Sequence, residues 1–107
     1  MAIAEVTVDE LEPKLLSGAL LIDVREIGEY QSGHLPGAVH VALGSVPDSI
    51  DSFRGDGPAY VVCRSGARSM RACEFLADHD IEAINVAGGT LAWIETGRST
   101  VLGDSPS

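Results

Sequence analysis

A chain of 107 residues, 45% hydrophobic and 21% charged, is long enough for one domain with its own core. Its net charge of −9 argues against nucleic acid or an anionic membrane surface as a partner. No apolar run reaches the roughly 20 residues that a membrane span requires, and the first residues lack a signal-peptide pattern. Two cysteines without framework spacing fit a reducing compartment. We therefore expect a cytoplasmic protein.

The first half of the chain predicts alternating strands and helices. Residues 4–7 indicate a short strand, and Thr7 with Glu10 has the spacing of a capping box that opens a helix ending at Ser17-Gly18. Pro13 lies inside that helix, where we expect a kink or a break. The pattern continues with a strand at 19–24, a short helix at 25–31, a turn-rich loop at 32–37, a brief strand at 39–41 and a helix at 45–53.

The second half continues the alternation. The pattern predicts a central strand at 59–63, a helix at 67–79, a last strand at 82–86 and a final helix from Gly88 through Ile94. Residues from Ser99 onward are small and polar, so we expect them to fray. Strands alternating with helices predict an α/β fold with a parallel sheet covered on both faces. We expect a single domain over residues 1–107, with its core at about 4–98 and a flexible tail at 99–107.

The segment after the central strand carries the chemistry. Cys63 ends an apolar run, small residues follow it, and a helical pattern begins at about Ala67. Backbone N–H groups and the positive end of a helix dipole favour an anion there, and Arg64 and Arg68 add permanent charge. We therefore predict a thiol of lowered pKa that acts as a nucleophile. The alternative is a buried core cysteine, which has no need of two guanidinium groups.

The charge distribution indicates the class of substrate. Residues 63–71 contain three arginines and no acid, within a chain of net charge −9. A cationic loop on an acidic body favours a small anionic substrate. The histidines and cysteines show no metal-ligand spacing, so we expect no metal site. Cys73 is too far along the following helix to pair with Cys63, and we expect it in the core.

Four further side chains have two interpretations each. Asp23 and Arg25 end the second strand, and we expect a buried ion pair that braces the loop rather than catalytic groups. We expect His34 to be a turn residue that bonds the backbone, because a preformed thiolate requires no general base. Trp93 either packs against the sheet edge or borders the mouth of the site, and the sequence does not separate these.

Several motifs occur in the order found in one family. They are Asp23-Val24-Arg25-Glu26, Glu29-Tyr30, Gly33-His34-Leu35-Pro36-Gly37-Ala38, Cys63-Arg64-Ser65-Gly66-Ala67-Arg68-Ser69, Gly88-Gly89 and Trp93. Over about residues 4–98 the chain resembles a single-domain rhodanese. The family often continues Gly-x-Pro after its last helix, whereas this chain has Gly97-Arg98-Ser99. The resemblance implies the rhodanese-like fold, a mostly parallel five-stranded sheet flanked by helices.

The resemblance also implies sulfurtransferase chemistry through a persulfide on Cys63, without a metal or an organic cofactor. Sulfane sulfur would pass from thiosulfate or a similar donor to a thiophilic acceptor such as cyanide, a thiol or an acceptor protein. The donor and the persulfide would be bound by the loop that follows the nucleophile. Its residues are Arg64, Ser65, Gly66, Ala67, Arg68 and Ser69, with Asp23 and Arg25 in support.

Loop length favours this function over a second one. Related phosphatases are similar in fold, but their loop is one residue longer, whereas Cys63 to Arg68 is six residues. A cysteine-dependent phosphatase or arsenate reductase therefore remains the alternative with different chemistry. A persulfide carrier or an interaction module on the same fold is the third possibility.

Overall fold

The computed structural model describes residues 2–107, which form a parallel sheet with helices on both faces. The strands within that range are β1 Glu5–Val6, β2 Leu20–Asp23, β3 Val39–His40, β4 Ala59–Val62 and β5 Ala83–Val86, and the α-helices are α1 Val8–Leu16, α2 Ile27–Gln31, α3 Ala67–Ala77 and α4 Gly89–Glu95. The strand order is β1-β5-β4-β2-β3, and each neighbouring pair is parallel. The predicted rhodanese-like α/β architecture is confirmed.

The central strand β4 is buried along its whole length because apolar side chains cover both faces of the sheet. On one face Ile22 and Val61 pack in the cluster that contains Leu76 of α3. On the other face Leu21 and Tyr60 pack in a second cluster. That second cluster also holds Leu11 of α1, Tyr30 of α2 and Trp93 of α4. The central strands β2 and β4 therefore contribute side chains to two hydrophobic cores, one on each face of the sheet.

Helix α1 begins as the sequence predicts and does not break where a break was expected. The Thr7 hydroxyl accepts from Glu10 N–H at 3.2 Å, and the Thr7 N–H donates to the Glu10 carboxylate at 2.9 Å, which completes the capping box. The sequence predicted a kink or a break at Pro13; the helix runs continuously past it to Leu16, so it does not break there. Leu16, although apolar, is 85% exposed at its end.

Residues 45–53 do not form the predicted α-helix. They belong to two 3₁₀ segments, Leu43–Asp48 and Ile50–Phe53. Ser49, which separates them, has a non-helical backbone, and its N–H bonds the carbonyl of Val46, three residues back. Pro47 offers no N–H to an α-helical ladder. Phe53 is nevertheless buried against the core.

The C-terminal segment from Ser99, expected to fray, is hydrogen-bonded to the loop after α2. His34 and Val101 exchange two backbone hydrogen bonds, of 2.9 and 2.8 Å, and Gly37 N–H donates to the Pro106 carbonyl at 2.8 Å. The His34 ring bonds the carbonyls of Tyr30 and Ser105, both at 2.8 Å. Composition predicts fraying, but the backbone groups of this loop supply partners that composition does not reveal. His34 is a backbone-bonding residue, as predicted.

The fold brings the carboxyl ends of β2 and β4 side by side, since Asp23 pairs with Val62. Ligands in open parallel sheets bind beyond these ends.

Trp93 is buried, and its indole N–H donates to the Ser99 carbonyl at 2.8 Å, so it belongs to the core. Within residues 2–107, none of the helices has the length and apolar character to cross a membrane.

Candidate active site

Cys63 follows β4 directly and lies in front of the N-terminus of α3. We call residues 63–69 the Cys63 loop. Gly66 N–H donates to the Cys63 Sγ at 3.1 Å, and the Ser69 hydroxyl lies 3.2 Å from the same sulfur. Gly66 caps α3 with a positive φ of 116°, a conformation that glycine adopts without strain. The loop therefore turns several donors toward one sulfur, and the Cys63 residue that carries it is 1% exposed.

These donors determine the protonation of Cys63. Burial alone raises the pKa of the thiol, because it disfavours the charged form. Hydrogen bonds oppose that effect; they come from the Ser69 hydroxyl and from the N–H groups of Ser69, Gly66 and Ser65. The pKa of Cys63 ends below its ordinary value. A larger fraction of Cys63 is therefore thiolate, the nucleophilic form, near neutral pH.

Hydrogen bonds from the first turn of α4 orient two peptide groups of the Cys63 loop. The carbonyl of Cys63 accepts from Thr90 N–H at 2.9 Å and from the Thr90 hydroxyl at 3.0 Å. The carbonyl of Arg64 accepts from Leu91 N–H at 3.0 Å. At Gly89, whose φ is +59°, an added Cβ would lie 2.5 Å from the Cys63 carbonyl oxygen. The loop carbonyls thus point toward α4, which leaves the loop amides free to face the sulfur.

Arg68 forms a two-bond ion pair with Glu29 of α2. Its two terminal nitrogens donate to the two carboxylate oxygens at 2.7 and 2.9 Å. This bond to Arg68 is the main reason that the pKa of Glu29 falls to about 2. Arg68 was predicted to bind the donor, which stays a prediction, and its guanidinium joins the Cys63 loop to α2 through Glu29. The bond to Glu29 is also the main reason that the pKa of Arg68 is raised, and charge on Cys63 adds to that effect.

We expect Glu29→Gln to destabilise the protein in a pH-dependent way. The folded-state pKa of Glu29 is lowered, so the carboxylate stabilises the fold above pH 4.5 and that contribution is lost as pH falls toward about 2. Both side chains are 33% exposed, and solvent screening reduces the expected difference to about 1 kcal/mol at neutral pH. Urea unfolding of both proteins across this pH range measures it.

Asp51→Asn is the matched control, because it removes an exposed ion pair with Arg54 that contacts neither α2 nor the Cys63 loop. It should leave stability nearly unchanged at every pH. A stability difference for Glu29→Gln that persists undiminished down to pH 2 would contradict the assigned ion pair.

Asp23 and Arg25 form the buried ion pair that the sequence predicts. The guanidinium donates to both Asp23 oxygens, with distances of 2.8 to 3.0 Å, and a terminal nitrogen donates to the Gly33 carbonyl at 2.8 Å. Asp23 is 0% exposed. Through the bond to Gly33, the pair braces the loop after α2.

The remaining loop residues face outward. Arg64, Ser65 and Ala67 are exposed, and Ala67 begins α3. Arg64 borders a groove of about 450 Å³ between α2 and α4, whose other lining residues include Glu29, Thr90, Leu91 and Ile94. The groove adjoins the Cys63 loop, and an exposed guanidinium at its edge is suited to an anion.

Cys73 has no part in this arrangement. It lies on the buried face of α3 and is 0% exposed, and burial raises the pKa of its thiol to about 12. Cys73 and Cys63 are both free thiols. The prediction that Cys73 is a core residue is confirmed.

The sequence interpretation missed one residue that contacts the Cys63 loop. Asn85 of β5 is 1% exposed, and its side-chain oxygen lies 2.5 Å from the Ser69 hydroxyl. The available signal was a polar residue inside the apolar run Ala83-Ile84-Asn85-Val86, since a buried amide requires partners. The sequence did not show that β5 lies beside β4, so the partner could not be identified.

Comparison with known proteins identifies the family. A model of the rhodanese-like domain matches residues 7–96. The chain is 37% identical over 95 residues to YtwF of Bacillus subtilis, covering 87% of this chain and 92% of that protein. It is 34% identical over 89 residues to the thiosulfate sulfurtransferase GlpE of Pseudomonas entomophila, covering 82% of this chain and 78% of that protein.

A solved structure agrees with these sequence matches. The rhodanese-like domain protein from Staphylococcus aureus superposes with a TM-score of 0.79 at 36% identity, covering 85% of this chain and 91% of that one. The protein therefore belongs to the rhodanese-like family, a family that includes sulfurtransferases.

Proposed function

We propose that this protein is a thiosulfate-type sulfurtransferase that carries sulfane sulfur as a persulfide on Cys63. The observation that carries the proposal is the convergence of donors on one sulfur, with Gly66 N–H at 3.1 Å and the Ser69 hydroxyl at 3.2 Å. The similarity to a thiosulfate sulfurtransferase supports the choice of donor. The six-residue loop from Cys63 to Arg68 supports sulfur over the larger phosphoryl group.

The first half-reaction loads the enzyme. The Cys63 thiolate attacks the outer sulfur of thiosulfate, a bond forms between the two sulfurs, and the bond between the two thiosulfate sulfurs breaks. Its electron pair leaves with sulfite. The product is a persulfide whose negative charge lies on the outer sulfur, near the same loop donors and the N-terminus of α3. The exposed Arg64 guanidinium at the groove edge would attract the dianionic donor.

The second half-reaction returns the enzyme to its starting state. A nucleophilic acceptor, such as cyanide or a thiol, attacks the outer sulfur, and the electron pair of the persulfide bond returns to Cys63. The thiolate that leaves is stabilised by the donors that lowered its pKa. The cycle balances without a redox partner, because sulfur enters and leaves at the same oxidation level.

Thiocyanate formation from thiosulfate and cyanide tests this function. We expect turnover by the wild-type protein, with sulfite released in the first half-reaction before cyanide is added. An aryl phosphate is offered to the same preparation, where we expect no hydrolysis. Phosphate release without thiocyanate would replace this proposal with a phosphatase. If other donors load the persulfide but thiosulfate gives no turnover, the protein would be a sulfur carrier and not a thiosulfate sulfurtransferase.

A further inference from the structure

The Ser69 hydroxyl has one proton and three acceptors around it. Its oxygen lies 2.5 Å from Asn85 Oδ1, 3.2 Å from Cys63 Sγ and 3.2 Å from the Gly66 carbonyl oxygen. A hydroxyl donates one hydrogen bond at a time, so these acceptors compete for it. Gly66 O already accepts from Met70 N–H at 3.1 Å, which leaves Asn85 and the sulfur as the two main competitors.

The orientation of the Asn85 amide follows from its other partners. Its Nδ2 lies 2.8 Å from the Glu5 carboxylate and 3.2 Å from the Gly66 carbonyl oxygen. Both partners are acceptors, so the NH₂ group must face them and Oδ1 must face Ser69. The amide is 1% exposed and cannot turn to water for other partners.

The hydroxyl therefore has two arrangements that match two states of Cys63. When Cys63 is a neutral thiol, its S–H can donate to the Ser69 oxygen while the Ser69 proton points to Asn85. When Cys63 is a thiolate, the sulfur is the stronger acceptor, and the Ser69 proton turns to it. Asn85 then loses a partner, which makes the neutral thiol relatively more favourable than it would be without Asn85.

We propose that Asn85 is a positioning residue that gives the Ser69 proton a second acceptor, so that this proton alternates between Asn85 and Cys63 as charge on the sulfur appears and disappears. In the sulfur-transfer cycle, on whose assignment this part of the inference rests, charge leaves Sγ when the persulfide forms. The hydroxyl then returns to Asn85. No donor is left buried and unpaired at either stage.

Other charges around the sulfur come from each neighbouring element. They are Glu5 from β1, the Asp23–Arg25 pair at the end of β2, Glu29 from α2, Arg64 from the Cys63 loop and Arg68 from α3. The thiol of Cys73, on the buried face of α3, is neutral. Substituting Asn85 by a neutral residue leaves every one of these charges in place. Glu5 is exposed, so water replaces the bond it loses. A shift in Cys63 titration can therefore be traced to the Ser69 proton.

The test is the pH dependence of Cys63 alkylation by iodoacetamide, with the modified peptide identified by mass spectrometry. In Asn85→Leu, which keeps the approximate shape and removes Oδ1, we expect the pKa of Cys63 to fall by about 0.5–1 unit, the size of one net hydrogen bond. In a Ser69→Ala background the same substitution should change the pKa by less than half as much.

A rise or no change in the pKa for Asn85→Leu would overturn the proposal, because loss of a merely structural anchor loosens the donors and raises that pKa. An equal shift in the Ser69→Ala background would overturn it as well. Asn85→Ala, with the same expected sign, replaces Asn85→Leu if the latter does not fold. Thr90→Val removes a hydroxyl that holds the Cys63 carbonyl without facing Ser69, and it should not lower the pKa.

Alkylation requires no sulfur donor. The result therefore stands whether or not thiosulfate is the substrate, and a failure of the proposed activity would not be mistaken for a failure of this inference.

Discussion

Cys63→Ser should abolish persulfide formation and reduce sulfur transfer by on the order of a thousand-fold or more, because an alcohol is not ionised in this loop at neutral pH. The substitution keeps the side-chain shape within the contacts of Gly66 and Ser69, so the fold should remain. Protein mass after incubation with thiosulfate measures the first step, since the wild type gains one sulfur atom and the variant gains none.

Cys73→Ala is the matched control for the other thiol. Cys73 is buried in the core and its thiol stays protonated, since burial raises its pKa to about 12. The control should therefore still gain one sulfur atom. Sulfur loading that survives Cys63→Ser and disappears in Cys73→Ala would reverse the assignment of the nucleophile.

Gly89→Ala should be the most damaging substitution outside the Cys63 loop itself. A methyl group there would lie 2.5 Å from the Cys63 carbonyl oxygen and 2.6 Å from the Arg64 carbonyl oxygen, both of them backbone atoms. Added to the strain of a left-handed φ of +59°, this should cost about 3 kcal/mol or more of unfolding free energy. Urea denaturation measures that loss, and alkylation of the folded fraction should show a higher pKa for Cys63.

Gly97→Ala separates the two causes. Gly97 lies just beyond the other end of α4, with a similar φ of +82°, but an added methyl group meets open space. Gly97→Ala should therefore lower the free energy of unfolding by only about 1 kcal/mol, the cost of a strained backbone. It should leave the pKa of Cys63 unchanged. Equal effects of the two substitutions would mean that backbone strain, not contact with the Cys63 loop, makes Gly89 necessary.

Local pattern was sufficient to predict most of the fold. Continuous apolar runs predicted β2 and β4, and the Thr7–Glu10 capping box placed the start of α1. It failed at residues 45–53, where Pro47 and the non-helical Ser49 leave a choice between α and 3₁₀ geometry that packing decides. It failed again at the C-terminal segment, whose partners lie in the loop after α2 about 70 residues earlier.

In the candidate site, too, residues adjacent in sequence were predictable, and contacts between distant residues were not. Cys63 and its loop were predictable because the strand, the small residues and the helix start are adjacent in sequence. The partner of Arg68 was not assigned, since Glu29 lies 39 residues away. Asn85 was missed because its importance depends on β5 lying next to β4, and the strand order is a property of the whole chain. Sequence locality thus predicted Cys63 and the donors of its own loop, but not Glu29 and Asn85, which contact that loop from distant parts of the chain.

The bonds between α4 and the Cys63 loop have a consequence for biosynthesis. Thr90 and Leu91, which orient the carbonyls of Cys63 and Arg64, are each translated 27 residues after the residue that they bond. In a nascent chain that ends before α4, the carbonyls of Cys63 and Arg64 lack these bonds. The lowered pKa of Cys63, which depends on the orientation of the loop amides, therefore requires that α4 has been synthesised and has packed against the loop.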